Sequence, residues 1–265
     1  MLNIYHMVNF FFYFVVFIFG SAVGSFLNSV IYRLKTSESF LFSRSYCPHC
    51  KHKLSWKDLI PVLSFLILKG KCRYCRHNIS WQYPLVELAT SILFLLPGLK
   101  PDVRPGETVF YWVLSSFLII IFVYDLKHYI IPDEVIYPAI GIVFLYRLSE
   151  IWNFKLLLYA ILSAILASLF FLFIFLLSQG KWLGFGDVKL AFFMGLFLNF
   201  PNVLVALFLA FLIGAIIGIG LILAGKKNLK SKVPFGPFLV TGTFIALFFG
   251  NQIVNWYLNF FNLTI

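Results

Sequence analysis

The 265-residue chain is 61% hydrophobic and 20% aromatic, and only 12% of its residues are charged. A soluble domain carries about 25% charged residues, so a water-soluble globule of this size is excluded and a polytopic membrane protein is implied. The net charge of +11 would suggest nucleic-acid binding in a soluble chain. Here membrane topology accounts for it, and no nucleic-acid partner is expected.

Apolar runs near 8–32, 84–97, 109–124, 134–148, 156–178, 188–200, 203–224 and 237–258 predict about eight transmembrane helices. The second and sixth runs are short for a span. Connections on one side hold ten Lys/Arg in 33–83, one in 125–133, two in 179–189 and four in 225–236. The other side holds only Lys100, Arg104, Arg147 and Lys155. The excess of positive charge puts residues 33–83 in the cytoplasm and both chain ends outside. The expected fold class is an all-α polytopic membrane protein with a small cytoplasmic zinc-binding insert. Its expected domains are a first span (1–32), a four-cysteine insert (33–83) and a membrane-embedded domain (84–265).

No basic segment precedes the first apolar run, which continues to about Ile31 and reads as a retained span, not a cleaved leader. Gly20 and Gly24 lie four residues apart, a spacing that makes a close-packing helix face. Asn28 needs an interhelical partner or a wet cavity. Tyr32 and Arg33 end the run as an interfacial anchor.

Residues 33–83 are the only segment long and polar enough for a soluble insert, and a core this small needs staples. All four cysteines fall there, as Cys47-Pro48-His49-Cys50 and Cys72-Arg73-Tyr74-Cys75. Two such knuckles present four thiolates for tetrahedral zinc. Lys71 and Arg73 favour the thiolate form. Disulfides do not persist in the cytoplasm. Four protein ligands make a closed, structural site, simpler than one recruiting His49, His52 or His77. The apolar stretch 59–68 either lies against the membrane surface or forms a small hairpin core. No internal repeat is read in the chain.

Pro84 opens the second span at the favoured first helical position. Glu87 then reads as a first-turn acid that suits the helix dipole, with substrate contact or an arginine partner as the alternatives. Further on, Gly214, Gly218 and Gly220 read as packing or flexible positions. Lys226, Lys227, Lys230 and Lys232 set topology or attract anionic lipid. Pro234-Phe235-Gly236-Pro237 is a shaped re-entry into the last span.

Of the ten acids, Glu38, Asp58, Asp102, Glu107 and Glu150 are expected to be ordinary solvated charges. Asp133 and Glu134 follow Pro132 at a helix start, where the dipole favours anions. Asp187, in Gly184-Phe185-Gly186-Asp187, also lies at a helix start and by itself would suit an N-cap. Asp125 closes a span, where the dipole disfavours an anion, so it needs another reason to be there. Both aspartates fall at the cytoplasmic face. Two carboxylates sharing a proton are the equipment of an aspartyl peptidase. Asp187 would be the readier base and Asp125 the readier proton carrier. The two glycines before Asp187 leave room for a peptide strand to approach.

These motifs together resemble the type IV prepilin peptidase family. The resemblance covers most of the chain in order. It comprises Gly24-Ser25-Phe26-Leu27-Asn28 with Ile31-Tyr32-Arg33, the two cysteine knuckles, and Tyr83-Pro84-Leu85-Val86-Glu87. It continues with Asp125, Ile131-Pro132-Asp133, Gly184-Phe185-Gly186-Asp187-Val188-Lys189 and Phe235-Gly236-Pro237. Tyr46 stands where the family more often has arginine. The resemblance implies Asp125 and Asp187 as the catalytic pair, with Asp133 outside it. It implies a prepilin or pseudopilin substrate, cut after a glycine at the cytoplasmic face of the inner membrane. It also implies N-methylation of the new N-terminus from S-adenosylmethionine. The methyl-donor site has no counterpart among the motifs, because no Rossmann-type glycine fingerprint is present.

Three other readings account for less. A presenilin-like intramembrane protease shares the Gly-x-Gly-Asp motif but leaves the insert unexplained. A proton-coupled transporter predicts acids in mid-span, and a zinc-ribbon adaptor leaves the acidic pair without a task.

Overall fold

The computed structural model describes residues 2–36, 44–99, 103–149, 154–228 and 231–261. Glu38, Lys100, Asp102, Glu150 and Lys230 lie outside the described residues.

Among the described residues there are nine α-helices: α1 (Leu2–Thr36), α2 (Leu63–Ile67), α3 (Gln82–Leu95), α4 (Pro105–His128), α5 (Asp133–Ser149), α6 (Phe154–Ser178), α7 (Phe185–Leu198), α8 (Asn202–Leu223) and α9 (Gly236–Phe260). Each of the eight apolar runs is a helix. Only α2, inside the insert, is additional. Five helices are long and apolar enough to cross a membrane: Phe10–Lys35, Pro105–His128, Lys155–Ser178, Asn202–Leu223 and Gly236–Phe260. The other three, α3, α5 and α7, have 14, 17 and 14 residues. They are shorter than the roughly 20 residues that cross a hydrocarbon core untilted.

The chain forms two compact units, Met1–Ile120 and Ile121–Ile265. In the first, α1 and α3 run against each other with almost no space between their backbones. A Cβ on Gly20 would lie 2.7 Å from the Ser91 Cα, and one on Gly24 2.7 Å from the Glu87 Cα. The expected packing face is therefore real, and its partner is α3. Asn28 finds its interhelical partners there too. It donates to the Tyr83 carbonyl at 3.0 Å and accepts from the Gln82 amide at 3.0 Å. A buried amide satisfied on both sides holds two helices in one register.

In the second unit α7 is central, packed along α6 and touching α5 and α9, while α8 pairs with α9. Its Leu190, Ala191, Phe193 and Met194 are fully buried. Gly195 of α7 comes into contact with the backbone of Ser163 and Ala164 on α6. Arg147 of α5 donates to the Phe197 carbonyl at 2.7 Å and to the Leu196 carbonyl at 3.3 Å. It thereby satisfies acceptors that a helix C-terminus leaves open. Of the three glycines of α8, only Gly214 meets a neighbour, the Phe238 ring. Gly218 and Gly220 face open space.

Candidate active site and metal centre

Asp125 and Asp187 are both buried, 5% and 7% exposed, in the second unit. Their positions come from three helix ends. Asp125 lies in the last turn of α4. Asp187 lies in the first turn of α7, and Gly236 opens α9. The Gly236 N–H donates to Asp125 Oδ2 at 3.0 Å. A Cβ on Gly236 would sit 2.6 Å from that oxygen, so only glycine allows this approach without displacing the carboxylate. The bond resolves the dipole problem. Asp125 sits at the negative end of its own helix but also at the positive end of α9, whose first N–H it takes. The comparison of α4 with α7 alone missed this third helix end.

Asp187 is not the N-cap of α7. Gly184 is the cap, and Asp187 three residues on reaches back to accept the Gly184 N–H at 3.0 Å. This is the acidic half of a capping box, which still exposes the carboxylate to α7's dipole. Gly186 makes room for the segment before α5: a Cβ there would lie 2.9 Å from the Ile131 Cβ.

Asp133 has a different partner. It opens α5 as expected for a dipole-favoured acid, and its partner is Lys189 Nζ at 2.6 Å. Lys189 also lies over the rings of Tyr137 and Phe185, at 4.9 and 5.3 Å. This clamp ties the first turn of α5 to the second turn of α7, two residues past Asp187. Neither the clamp nor the Gly236 bond was legible in the chain. The signal for Gly236 was its place before Pro237 at a helix start; Lys189 carried none.

In the first unit the four cysteines are free and come together. Their sulfurs all lie within 4.8 Å of one another, and those of Cys47 and Cys75 are 3.9 Å apart. A tetrahedron of bonds of about 2.3 Å puts sulfurs roughly 3.8 Å apart, so the cluster fits one metal ion. The reading of no internal repeat is wrong here. In both knuckles the first cysteine donates to the carbonyl of the histidine five residues on: Cys47 to His52 at 2.9 Å and Cys72 to His77 at 2.8 Å. Lys51 and Arg76, each just after the second cysteine, both have positive φ. Ser-Trp follows in both, as Ser55-Trp56 and Ser80-Trp81. The rings pair crosswise, His49 on His77 and His52 on Tyr74, at 4.1 and 3.6 Å between centroids. The repeat is short, which is why it escapes a search for longer periods.

Asp58 is not an ordinary solvated charge. Its side chain is 4% exposed and accepts from Arg73 at 2.6 Å, from Ser55 Oγ at 2.8 Å and from Tyr74 at 3.1 Å. Burial pushes its acidity the other way, but the hydrogen bonds from Arg73, Ser55 and Tyr74 prevail and hold the carboxyl at about 2. Arg73 is thus committed to a carboxylate as well as to the cysteine knuckle. Glu87 is also misread by position, since it is the sixth residue of α3 and not in its first turn. It is 6% exposed and accepts the Val62 N–H at 2.7 Å.

Two family models match the chain: the bacterial peptidase A24 N-terminal domain over residues 18–100 and the type IV leader peptidase family over residues 112–219. A prepilin leader peptidase/N-methyltransferase of Aeromonas hydrophila is 33% identical over 291 residues, covering 98% of this chain and 99% of the relative. A protein of the same name from Legionella pneumophila is 32% identical, covering 94% of this chain and 96% of the relative. One from Bacillus subtilis (strain 168) is 33% identical, covering 92% and 97%. No solved structure matches. Matched from end to end by such relatives, and with two family models along its length, the chain belongs to the type IV leader peptidase family.

Proposed function

We propose that this protein cuts the leader from prepilins or pseudopilins with Asp125 and Asp187 and then methylates the new N-terminus. The observation that supports the reading is the burial of two carboxylates at helix ends of the same unit, one of them held by the Gly236 N–H. In the first step the two acids share one proton. The ionised carboxylate takes a proton from water as its oxygen attacks the carbonyl carbon of the scissile peptide, and the protonated acid gives its proton to the carbonyl oxygen. Collapse of the tetrahedral intermediate breaks the C–N bond. The departing amine takes the proton first drawn from water, a hydroxyl of the intermediate returns its proton to the carboxylate that had given one as the carbonyl re-forms, and the dyad is back in its one-proton state. Which aspartate starts ionised belongs to the pair and not to either residue.

Methyl transfer draws on S-adenosylmethionine, which supplies an electrophilic methyl group. Among the described residues there is no strand and no glycine-rich turn between strand and helix, so a Rossmann-type pocket for that donor has no fit here. The cysteine cluster would hold zinc with all four positions filled by Cys47, Cys50, Cys72 and Cys75. That leaves no site for water and supports a structural role.

The reading places the protein in a bacterial inner membrane, with about eight spans and with the insert and both aspartates cytoplasmic. The lysine and arginine distribution supports that orientation. It keeps the division into a first span (1–32), a zinc insert (33–83) and a membrane-embedded peptidase domain (84–265).

The test uses the purified full-length protein in lipid vesicles with a prepilin. Asp125→Asn and Asp187→Asn should each abolish cleavage. Full activity in either variant ends the two-aspartate mechanism. Labelled S-adenosylmethionine in the same reaction should mark the cleaved pilin. Absence of label would leave a peptidase only.

A further inference from the structure

We infer that the apolar face of α2, with Trp56 beside it in the chain, is inserted into the lipid of the leaflet reached by the C-terminal end of α1. The insert would then be a membrane-embedded wedge. This inference rests on α1 being a span and is independent of the peptidase chemistry.

Depth along α1 can be counted. Its candidate span runs Phe10–Lys35, with Arg33 and Lys35 marking the polar end. Gly24 lies nine residues before Arg33, or about 13 Å along the axis. Glu87 of α3 is packed against Gly24, and the Glu87 carboxylate takes the Val62 N–H at 2.7 Å. Val62 is therefore held at a level well inside the polar end of the span. Val62 itself has φ +59°, a conformation that β-branched side chains avoid.

The helix that starts at the next residue carries Leu63, Leu66 and Ile67 on one face, at the i, i+3, i+4 spacing. They are 57%, 60% and 73% exposed. The opposite side chain, Phe65, is buried against Trp81, with ring centroids 4.9 Å apart. The helix is thus anchored to the insert by one face and presents the other. Trp56 is 72% exposed with Lys57 over its ring at 5.5 Å, and Lys69 just past the helix is exposed. An apolar helix face flanked by an amphipathic aromatic and lysines is the composition of an interfacial segment on anionic lipid. The exposed Leu85 and Ile92 of α3 already present apolar surface on the helix to which Val62 is bound. Lipid against α2 continues that surface, whereas water against it would meet three large aliphatic side chains together.

The test is a nitroxide attached at Ile67→Cys in the full-length protein in vesicles containing anionic lipid. Leu66→Cys is a second position, and Lys53→Cys a solvent reference. The unsubstituted protein sets the background from the four native thiols. Collision rates with oxygen, which concentrates in lipid, and with a water-soluble nickel chelate are read by electron paramagnetic resonance. At positions 66 and 67 oxygen access should be high and nickel access several-fold below that at position 53. Nickel access equal to that at position 53 would put α2 in water. Low access to both reagents would put it against protein, a second copy included. Either result overturns the inference.

Discussion

Gly236 donates its N–H to Asp125 across 111 residues of chain, at 3.0 Å. This bond joins the last turn of α4 to the first turn of α9, and it places a carboxylate where a free helix N–H is aimed at it.

Gly236→Ala tests the contact. A methyl group there would sit 2.6 Å from Asp125 Oδ2 and 3.1 Å from its Cγ, so the carboxylate must move. A misplacement of this order costs a catalytic group about 100-fold in rate. Prepilin cleavage by the purified variant should fall by that order while the protein still folds. Gly220→Ala on α8, where a Cβ meets nothing within 4 Å, should cleave like the parent. Unchanged cleavage by Gly236→Ala would mean that the Asp125 position is unimportant.

Asp133→Asn separates the clamp from the proposed dyad. The Asp133 side chain is 56% exposed, so its ion pair with Lys189 is worth about 0.2–1 kcal/mol. Thermal unfolding in detergent should show a loss within that range, and cleavage should persist. Lys189→Met should cost more, because two ring contacts go with the charge. Abolished cleavage in a folded Asp133→Asn protein would promote Asp133 to the catalytic set.

Cysteine replacement tests the metal. The purified protein should carry stoichiometric zinc by elemental analysis. Cys47→Ser or Cys72→Ser should lose it, since each removes one of the four thiolates. Zinc content unchanged in both would remove the metal assignment.

Acid should erase the worth of Asp58 in a defined window. Its folded value of about 2 lies below the ordinary 3.8, so the charged form is favoured by folding. The stability it contributes is complete above about 4 and is lost as pH falls toward 2. The gap in unfolding between the parent and Asp58→Asn should therefore be constant from neutral pH to about 4 and shrink below it. Protonation of the cysteine thiolates weakens both proteins and cancels in the difference. A gap that persists at pH 2 would mean that Asp58 acts through its shape and not its charge.

Sequence by itself determined a great deal here, because the bilayer leaves few choices. Each apolar run had to be a helix, since no water is available there for unpaired backbone groups. The knuckle spacing of Cys47, Cys50, Cys72 and Cys75 foretold the cluster, because two tight turns suffice to present four sulfurs. Asp125 and Asp187 stood out because charge is scarce in such a chain. Only the tertiary structure decided what those residues touch. Asp58 was misjudged because its partners, Arg73 and Tyr74, lie 15 and 16 residues away. Glu87 meets Val62, 25 residues away in the chain, while its own backbone lies against Gly24 of α1. Asp125 is answered by α9, whose first N–H arrives 111 residues later. Local pattern reports which groups are costly to leave alone. Which group answers them is a matter of packing between distant helices, and no spacing along one helix encodes it.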